Sequence, residues 1–490
     1  MALEVTREMV AAALEAAIPR LARELPTDVY AGLQRAFACE PAGRGSVALG
    51  HLLASAQVAC CDQVPICQDT GTVWCSLEIG PDVAVAPGVF ADVDAVVART
   101  YETARLRKSL VRNALFDRAN TGDNTPCFTD IHPVDQPGVA RIRVMLKGGG
   151  SDNASRVVML ASGAGREAIV AEVVRCVREK ASSACAPCIV GVGVGSTFDK
   201  VGGLAKRALM RRLDEEAPDA ETAQFERELL EAINASGTGP QGLGGVNAAL
   251  GVRVSTAPCH IAALPLAINM GCSAMRRATI DLTGESAEAQ LDAQLVSAKD
   301  FAQAPVRQQA AGDRVHKLAL PLSKTDLAGL KAGDACTLTG ALYTLRDAGH
   351  VRLLADMAEN DGKLPYGLEG QTIFYAGPTP SAAGRPFGAV GPTTAGRMDF
   401  AAPALYSAGI VATVGKGHRD QSVARSCKEN ATVFFVATGG AAALLAKQVT
   451  DAETIAYEDL GTEALRRIEV VDFPVFVGID AQGTDVYDTI

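Results

Sequence analysis

Apolar positions recur along this chain with two different periods, and each period predicts its own kind of element. In MALEVTREMVAAALEAAIPRLARELP, Val10, Leu14, Ile18 and Leu21 return at helical spacing with charges between them, which predicts an amphipathic helix. RIRVMLKGGG (141–150) and CIVGVGVGST (188–197) read instead as buried strands running into glycine loops. A helical run through Ile169, Val170, Val173, Val174 and Val177 lies between them, so strand and helix alternate and an α/β unit is expected.

The pattern fades after Ser286. Residues 286–312 hold Ala, Gln and Asp with few large apolar side chains, which predicts an exposed connecting segment. It would divide a larger α/β domain, 1–285, from a smaller C-terminal one, 313–490. The β-branched runs RVHKLALPL, ACTLTGALYTL, QTIFYAGPTP and GIVATVGKG follow, so that domain mixes strands with helices. ATVFFVATGGAAALLA (431–446) is too short to span a bilayer and is broken by Thr438, Gly439 and Gly440. It reads as a buried strand, a glycine turn and a helix.

Composition narrows the class. A chain of 490 residues exceeds what one core serves, in keeping with two principal domains. A net charge of −10 argues against nucleic-acid binding, although local Arg and Lys can still make a pocket for an anion. The N-terminal helix carries charges throughout and is no signal peptide; a cytoplasmic protein with no membrane span is expected. In a reducing compartment most of the 13 cysteines should be core thiols, with a few recruited as ligands or nucleophiles.

Several stretches could supply chemistry. PICQDTG (65–71) sets a thiol, an amide, a carboxylate and a hydroxyl in consecutive positions between Pro and Gly, more than a turn requires. Four glycine-rich loops, KGGGSDN, GVGVGST, GPQGLGG and ATGGAAA, could line a site with backbone; none matches a dinucleotide or Walker A pattern, GVGVGS coming nearest. SACAPC contains a C-x-x-C but lacks the second half of a zinc site. Three cysteines from distant segments would suit an iron–sulfur cluster with one open iron, the alternative being core thiols. In CHIAALPLAINMGC, His260 stands at the edge of a buried run as a satisfied core residue or a site residue. RPFGAVGPTTAGRMDF and VGKGHRD hold Arg397 and Lys416 on Gly- and Pro-punctuated loops, where cations can grip carboxylates.

Taken in order, PICQDTG, KGGGSDN, ACAPCIVGVGVGST, GPQGLGG, CHIAALPLAINMGC, YTLRDAGH, GPTTAGRM and GKGH resemble the class I iron–sulfur fumarate hydratases and their tartrate-dehydratase relatives over nearly the whole chain. The resemblance implies a C-terminal domain of swivelling β/β/α type and a homodimer. It implies a [4Fe-4S] cluster on Cys67, Cys185 and Cys272, with Ala186 standing where the family has a proline and Cys188 as an extra thiol. It implies Thr393 as base with Asp69 as its partner and His260 assisting, and Gln68, Arg107, Gly150, Arg346, Arg397 and Lys416 as contacts to a small dicarboxylate. The reaction implied is reversible hydration of fumarate to (S)-malate, or the same chemistry on mesaconate or tartrate. A nucleotide-dependent oxidoreductase and a non-catalytic iron–sulfur sensor are the other classes considered.

Overall fold

The computed structural model describes residues 3–301 and 315–490. The first helix, Arg7–Leu21, begins at Thr6, whose hydroxyl accepts the Met9 N–H, and buries Val10, Leu14, Ile18 and Leu21 as the spacing predicts. It packs with the helix Val93–Thr103 on a four-stranded sheet in the order Arg277–Asp281, Ala140–Lys147, Thr72–Ile79, Phe128–Pro133. Thr72 pairs with Lys147 where this sheet ends.

A second four-stranded sheet runs Arg156–Leu160, Leu264–Gly271, Cys188–Ser196, Ala249–Cys259. The helices Gly165–Ala184 and Ala220–Asn234 share a core with it, and Phe198–Ala208 packs against it too. Here GVGVGST departs from its loop reading, because Gly191 and Gly193 lie inside the strand Cys188–Ser196. A Cβ at Gly191 would stand 2.3 Å from the Ala205 carbonyl oxygen and one at Gly193 2.6 Å from that of Val201. These glycines let a helix lie close against a strand; they do not cradle a phosphate.

The expected connecting segment is also partly structured. Residues Ala287–Gln294 form a helix that buries Leu291, and Leu295, Val296 and Phe301 are buried after it. The Val296 N–H donates to Leu25 O at 2.9 Å, and Phe301 meets Tyr30 edge-on at 5.0 Å between ring centroids. A few apolar side chains at the right positions suffice to anchor a polar stretch. Residues 302–312 of that segment lie outside the described residues.

In the C-terminal half, Ala335–Thr344, Thr372–Phe374, Ala412–Gly415 and Val433–Val436 run parallel. Leu465–Ile479 pairs antiparallel with the last and also with the first, so the pairings close into a ring. His316–Ala319 and Val449–Ala456 extend it. Period-2 alternation sends Phe374, Val414 and Phe435 to one core and Ile373, Tyr375, Phe434 and Val436 to another, the latter shared with the helices Asp347–Glu359, Ala402–Ala408 and Gln421–Asn430. No helix among the described residues is long and apolar enough to cross a membrane.

Asp28, on the helix Thr27–Cys39, ties that helix to the first sheet through Arg277 at 2.7 Å and also accepts the Leu213 N–H at 2.8 Å. Both side chains are almost wholly buried. Asp28→Ala should therefore cost about 3–5 kcal/mol in denaturant unfolding, since it leaves a buried guanidinium unpaired. Asp28→Ala with Arg277→Met should recover much of that loss, and a single-variant cost below about 1 kcal/mol would refute the pair's importance.

Candidate active site

The ends of strands from both halves meet at one cavity of about 430 Å³. From the C-terminal half, Arg346 follows the strand Ala335–Thr344, Lys416 follows Ala412–Gly415, and Gly440 comes shortly after Val433–Val436. Carboxyl ends of parallel strands are where α/β folds gather ligands. From the N-terminal half, Cys67, Gln68 and Asp69 lead into Thr72–Ile79, Gly149 and Gly150 follow Ala140–Lys147, and Cys185 caps the helix Gly165–Ala184.

Ten of the residues expected from the sequence line this cavity: Cys67, Gln68, Asp69, Arg107, Gly150, Cys185, Arg346, Thr393, Arg397 and Lys416. Cys272 borders it. The N–H of Ser273 donates to Cys185 O at 3.1 Å, and Cys67, Cys185 and Cys272 lie near enough for each to act electrostatically on the others. Among the described residues no three His, Cys, Asp or Glu side chains converge as ligands of a single ion. His260 is elsewhere. It sits exposed in the turn after Ala249–Cys259, its Nδ1 accepting the Ala262 N–H at 3.1 Å. It and Cys272 flank opposite ends of Leu264–Gly271, roughly 25 Å apart at about 3.3 Å per strand residue.

Local geometry fixes each side chain. Cys185 takes the left-handed conformation, φ 59°, and stays out of the core that swallows Cys188, the first residue of the next strand. The Gln68 amide oxygen accepts the N–H groups of Gly377 (3.4 Å) and Gly391 (3.0 Å), joining the two halves. Arg107 donates to Gly377 O at 3.0 Å and lies 3.5 Å from Asp69. Thr393 is pinned on both sides, its N–H to Tyr375 O at 2.7 Å and its carbonyl to the Lys416 N–H at 3.2 Å. The Lys416 ammonium donates to Ser183 O and approaches Cys185 Sγ, each at 2.7 Å.

Charge in the cavity is one-sided. Arg107, Lys180, Arg346, Arg397 and Lys416 line it against the single carboxylate of Asp69. Burial alone would raise the Asp69 pKa, but Arg107, Arg276, the Gly149 N–H and Arg346 outweigh it and hold the group below the usual carboxylate range. Burial, then repulsion from neighbouring guanidinium groups, lowers Arg397, and the same two effects lower Arg107. Lys416 is raised despite burial because Cys185, Cys67 and Cys272 favour its charge. All three thiols are pushed up by burial. Such a site is poised for an anion.

Sequence reasoning missed Lys180 in the lining, and it missed the residues that stand behind the lining. Asp347 holds Arg346 Nε at 2.8 Å and Arg397 Nη2 at 3.0 Å, and Glu463 takes Arg346 Nη2 at 3.1 Å. Asp347 directly follows a residue the sequence did single out, and only its left-handed φ of 29° marks it. Gln241, from GPQGLGG, donates to Ala186 O at 2.7 Å and accepts the Gly439 N–H at 2.9 Å, so it braces the Cys185 turn. A larger cavity of about 800 Å³, between Arg175, Ser182, His418 and Tyr487, lacks a comparable set; Arg175 is already paired with Glu172 and Glu179.

Residues 11–281 match the family model described as fumarate hydratase (Fumerase), and residues 290–490 match that of the fumarase C-terminus. The chain is 30% identical to the anaerobic class I fumarate hydratase of Escherichia coli strain K12, over 90% of this chain and 82% of that protein. It is 31% identical to the aerobic class I enzyme of Salmonella typhimurium, over 90% and 78%. A putative L(+)-tartrate dehydratase subunit alpha from Methanocaldococcus jannaschii is 35% identical over 52% of this chain and 90% of its own length. With both family models spanning the segments that build the cavity, the chain belongs to the class I fumarate hydratase family and is a hydro-lyase.

Proposed function

We propose that this protein interconverts fumarate and (S)-malate in the cavity described above, with a [4Fe-4S] cluster held by Cys67, Cys185 and Cys272. The observation that carries the reading is the company the thiols keep. Two of the sulfurs line a cavity in which cations outnumber carboxylates, the third acts electrostatically on both of them, and family membership gives that combination its chemistry. The donor set fits: soft thiols suit iron and sulfide, and one cluster corner without a protein ligand would face the cavity. The proposal includes a homodimeric assembly in the cytoplasm.

When bound, the cluster supplies a Lewis-acidic iron that makes hydroxide a tolerable leaving group. The protein does the rest. Arg107, Arg346 and Arg397 grip the two carboxylates of the diacid and, with Lys416, offset the negative charge that accumulates when a proton leaves carbon. Asp69 is too acidic to be an effective base, since two backbone N–H groups and Arg107 hold it ionised. It orients. Thr393 handles the proton: its backbone is fixed, and the surrounding cations lower the cost of ionising its hydroxyl.

Substrate choice is a matter of pocket shape, because one methyl or hydroxyl changes binding by about 1–3 kcal/mol. The putative tartrate dehydratase relative keeps tartrate in view, and mesaconate fits the same charges. Anaerobically reconstituted protein should turn brown, lose activity in air, and give its highest kcat/KM on fumarate in a panel with mesaconate and tartrate. A colourless protein that reduces NAD, or a brown one inert toward all three acids, would sink the reading.

Two further outcomes follow. Thr393→Ala and Arg397→Ala should each keep the cluster spectrum while kcat falls about 10²–10⁴-fold, and normal turnover in both would remove these residues from the mechanism. Cys185→Ala should abolish cluster uptake, measured as iron and sulfide per chain, whereas Cys188→Ala should not. The reverse result would exchange the two assignments.

A further inference from the structure

Arg276 stands directly before the strand Arg277–Asp281 and is 1% exposed, among the largest fully buried side chains of the protein. Its Nε and Nη1 have no hydrogen-bond partner among the described residues. A guanidinium shut away from water with unused donors is strongly unfavourable unless something anionic meets it. Its surroundings say where that anion would be. Nη2 and the Asp69 carboxylate both lie near Gly148, 3.6 and 3.5 Å from where a Cβ on that glycine would stand. The charge of Arg276 acts on Cys67, on Cys272 and on Asp69.

Asp69 does not account for the spare donors. Its two oxygens already accept the N–H groups of Gly71 (3.1 Å) and Gly149 (2.8 Å), and Arg107 lies 3.5 Å away. Beyond Asp69, the charge of Arg276 acts on the thiols of Cys67 and Cys272 and on the Tyr101 hydroxyl, and that hydroxyl already donates to Gly71 O at 2.8 Å. A cluster on three thiolates would bring sulfide and thiolate sulfurs, soft acceptors with net negative charge, toward a cation whose Nε and Nη1 have no partner among the described residues.

We propose that Arg276 is a positioning residue for the cofactor, donating hydrogen bonds to cluster or thiolate sulfurs on the side of Cys67 and Cys272 and setting the cluster's redox level. This rests on the iron–sulfur reading above. Hydrogen bonds to the sulfurs and nearby charge are among the levers a protein has on cluster potential. A neighbouring cation favours the form carrying one more electron, so removing it makes reduction harder.

The test compares full-length wild type, Arg276→Met and Arg276→Lys, each cluster-free and after anaerobic reconstitution with iron and sulfide. Cluster-free Arg276→Met should melt no lower than wild type, because it loses only an unpaired buried charge. Once loaded, its one-electron midpoint potential, followed by EPR, should shift negative, and Arg276→Lys should restore most of the wild-type value. Failure of Arg276→Met to load where Arg276→Lys loads supports the inference equally. A wild-type potential in Arg276→Met overturns it, as does a fall in melting temperature of the cluster-free protein, which would make Arg276 a structural charge. A wild type that takes up no cluster overturns the iron–sulfur reading itself, before any variant is compared.

Discussion

The 2.7 Å approach of Lys416 to Cys185 is the contact on which the site depends, because it brings a cation of one half of the chain onto a thiol of the other. Such closeness leaves no room for ordinary side chains around it. A Cβ at Gly439 would lie 2.4 Å from Cys185 Sγ and 3.0 Å from Lys416 Cδ, and one at Gly417 would lie 2.9 Å from Ser183 Oγ. Gly150 would meet Lys416 Nζ at 3.4 Å. Glycines from three separate loops are thus explained by one interaction: two backbones must come together so that a lysine can reach sulfur.

The same contact explains why the halves are joined by polar groups at this point. Gln68 with Gly377 and Gly391, Arg107 with Gly377, and Lys416 with Ser183 each pair a side chain from one half with backbone from the other. These backbone groups sit in a helix end and in loops that follow the sheet strands, so they hold the cations on the framework behind them. Preorganised charge of that kind is what stabilises a developing anion without reorganisation at the moment of reaction.

Local signals made much of this legible. The helix Arg7–Leu21, the strands Ala140–Lys147 and Cys188–Ser196, and the strand, turn and helix from Val433 to Lys447 follow from spacing that each segment carries alone. Motif order gave ten of the cavity's lining residues, since a loop rich in Gly, Arg or Cys keeps its composition whatever surrounds it. What escaped depends on distant partners. Gly191 and Gly193 look like loop glycines until the helix Phe198–Ala208 is laid across their strand, and 287–301 looks exposed until Leu291 and Phe301 find their cores. His260 and Cys272 share one motif in the sequence, but the strand between them spends its positions on length. Arg276 is one of two adjacent arginines, and nothing local says that Arg277 pairs with Asp28 while Arg276 keeps Nε and Nη1 without a partner among the described residues.

Asp347 and Glu463 show how an excess of positive charge can be tolerated before any substrate arrives. Three guanidinium groups near one another would repel and splay, and burial has already made two of them, Arg107 and Arg397, less willing to carry charge. Asp347 bridges Arg346 and Arg397, and Glu463 takes the remaining edge of Arg346, so these two are aimed while keeping part of their donor capacity free. Arg107, on the other side, is aimed by Gly377 and Asp69. A diacid entering between them need not order loose side chains, and the entropy of doing so does not count against binding. The carboxylates behind the arginines leave the cavity short of full neutrality, and that residual positive charge is what the substrate supplies the answer to.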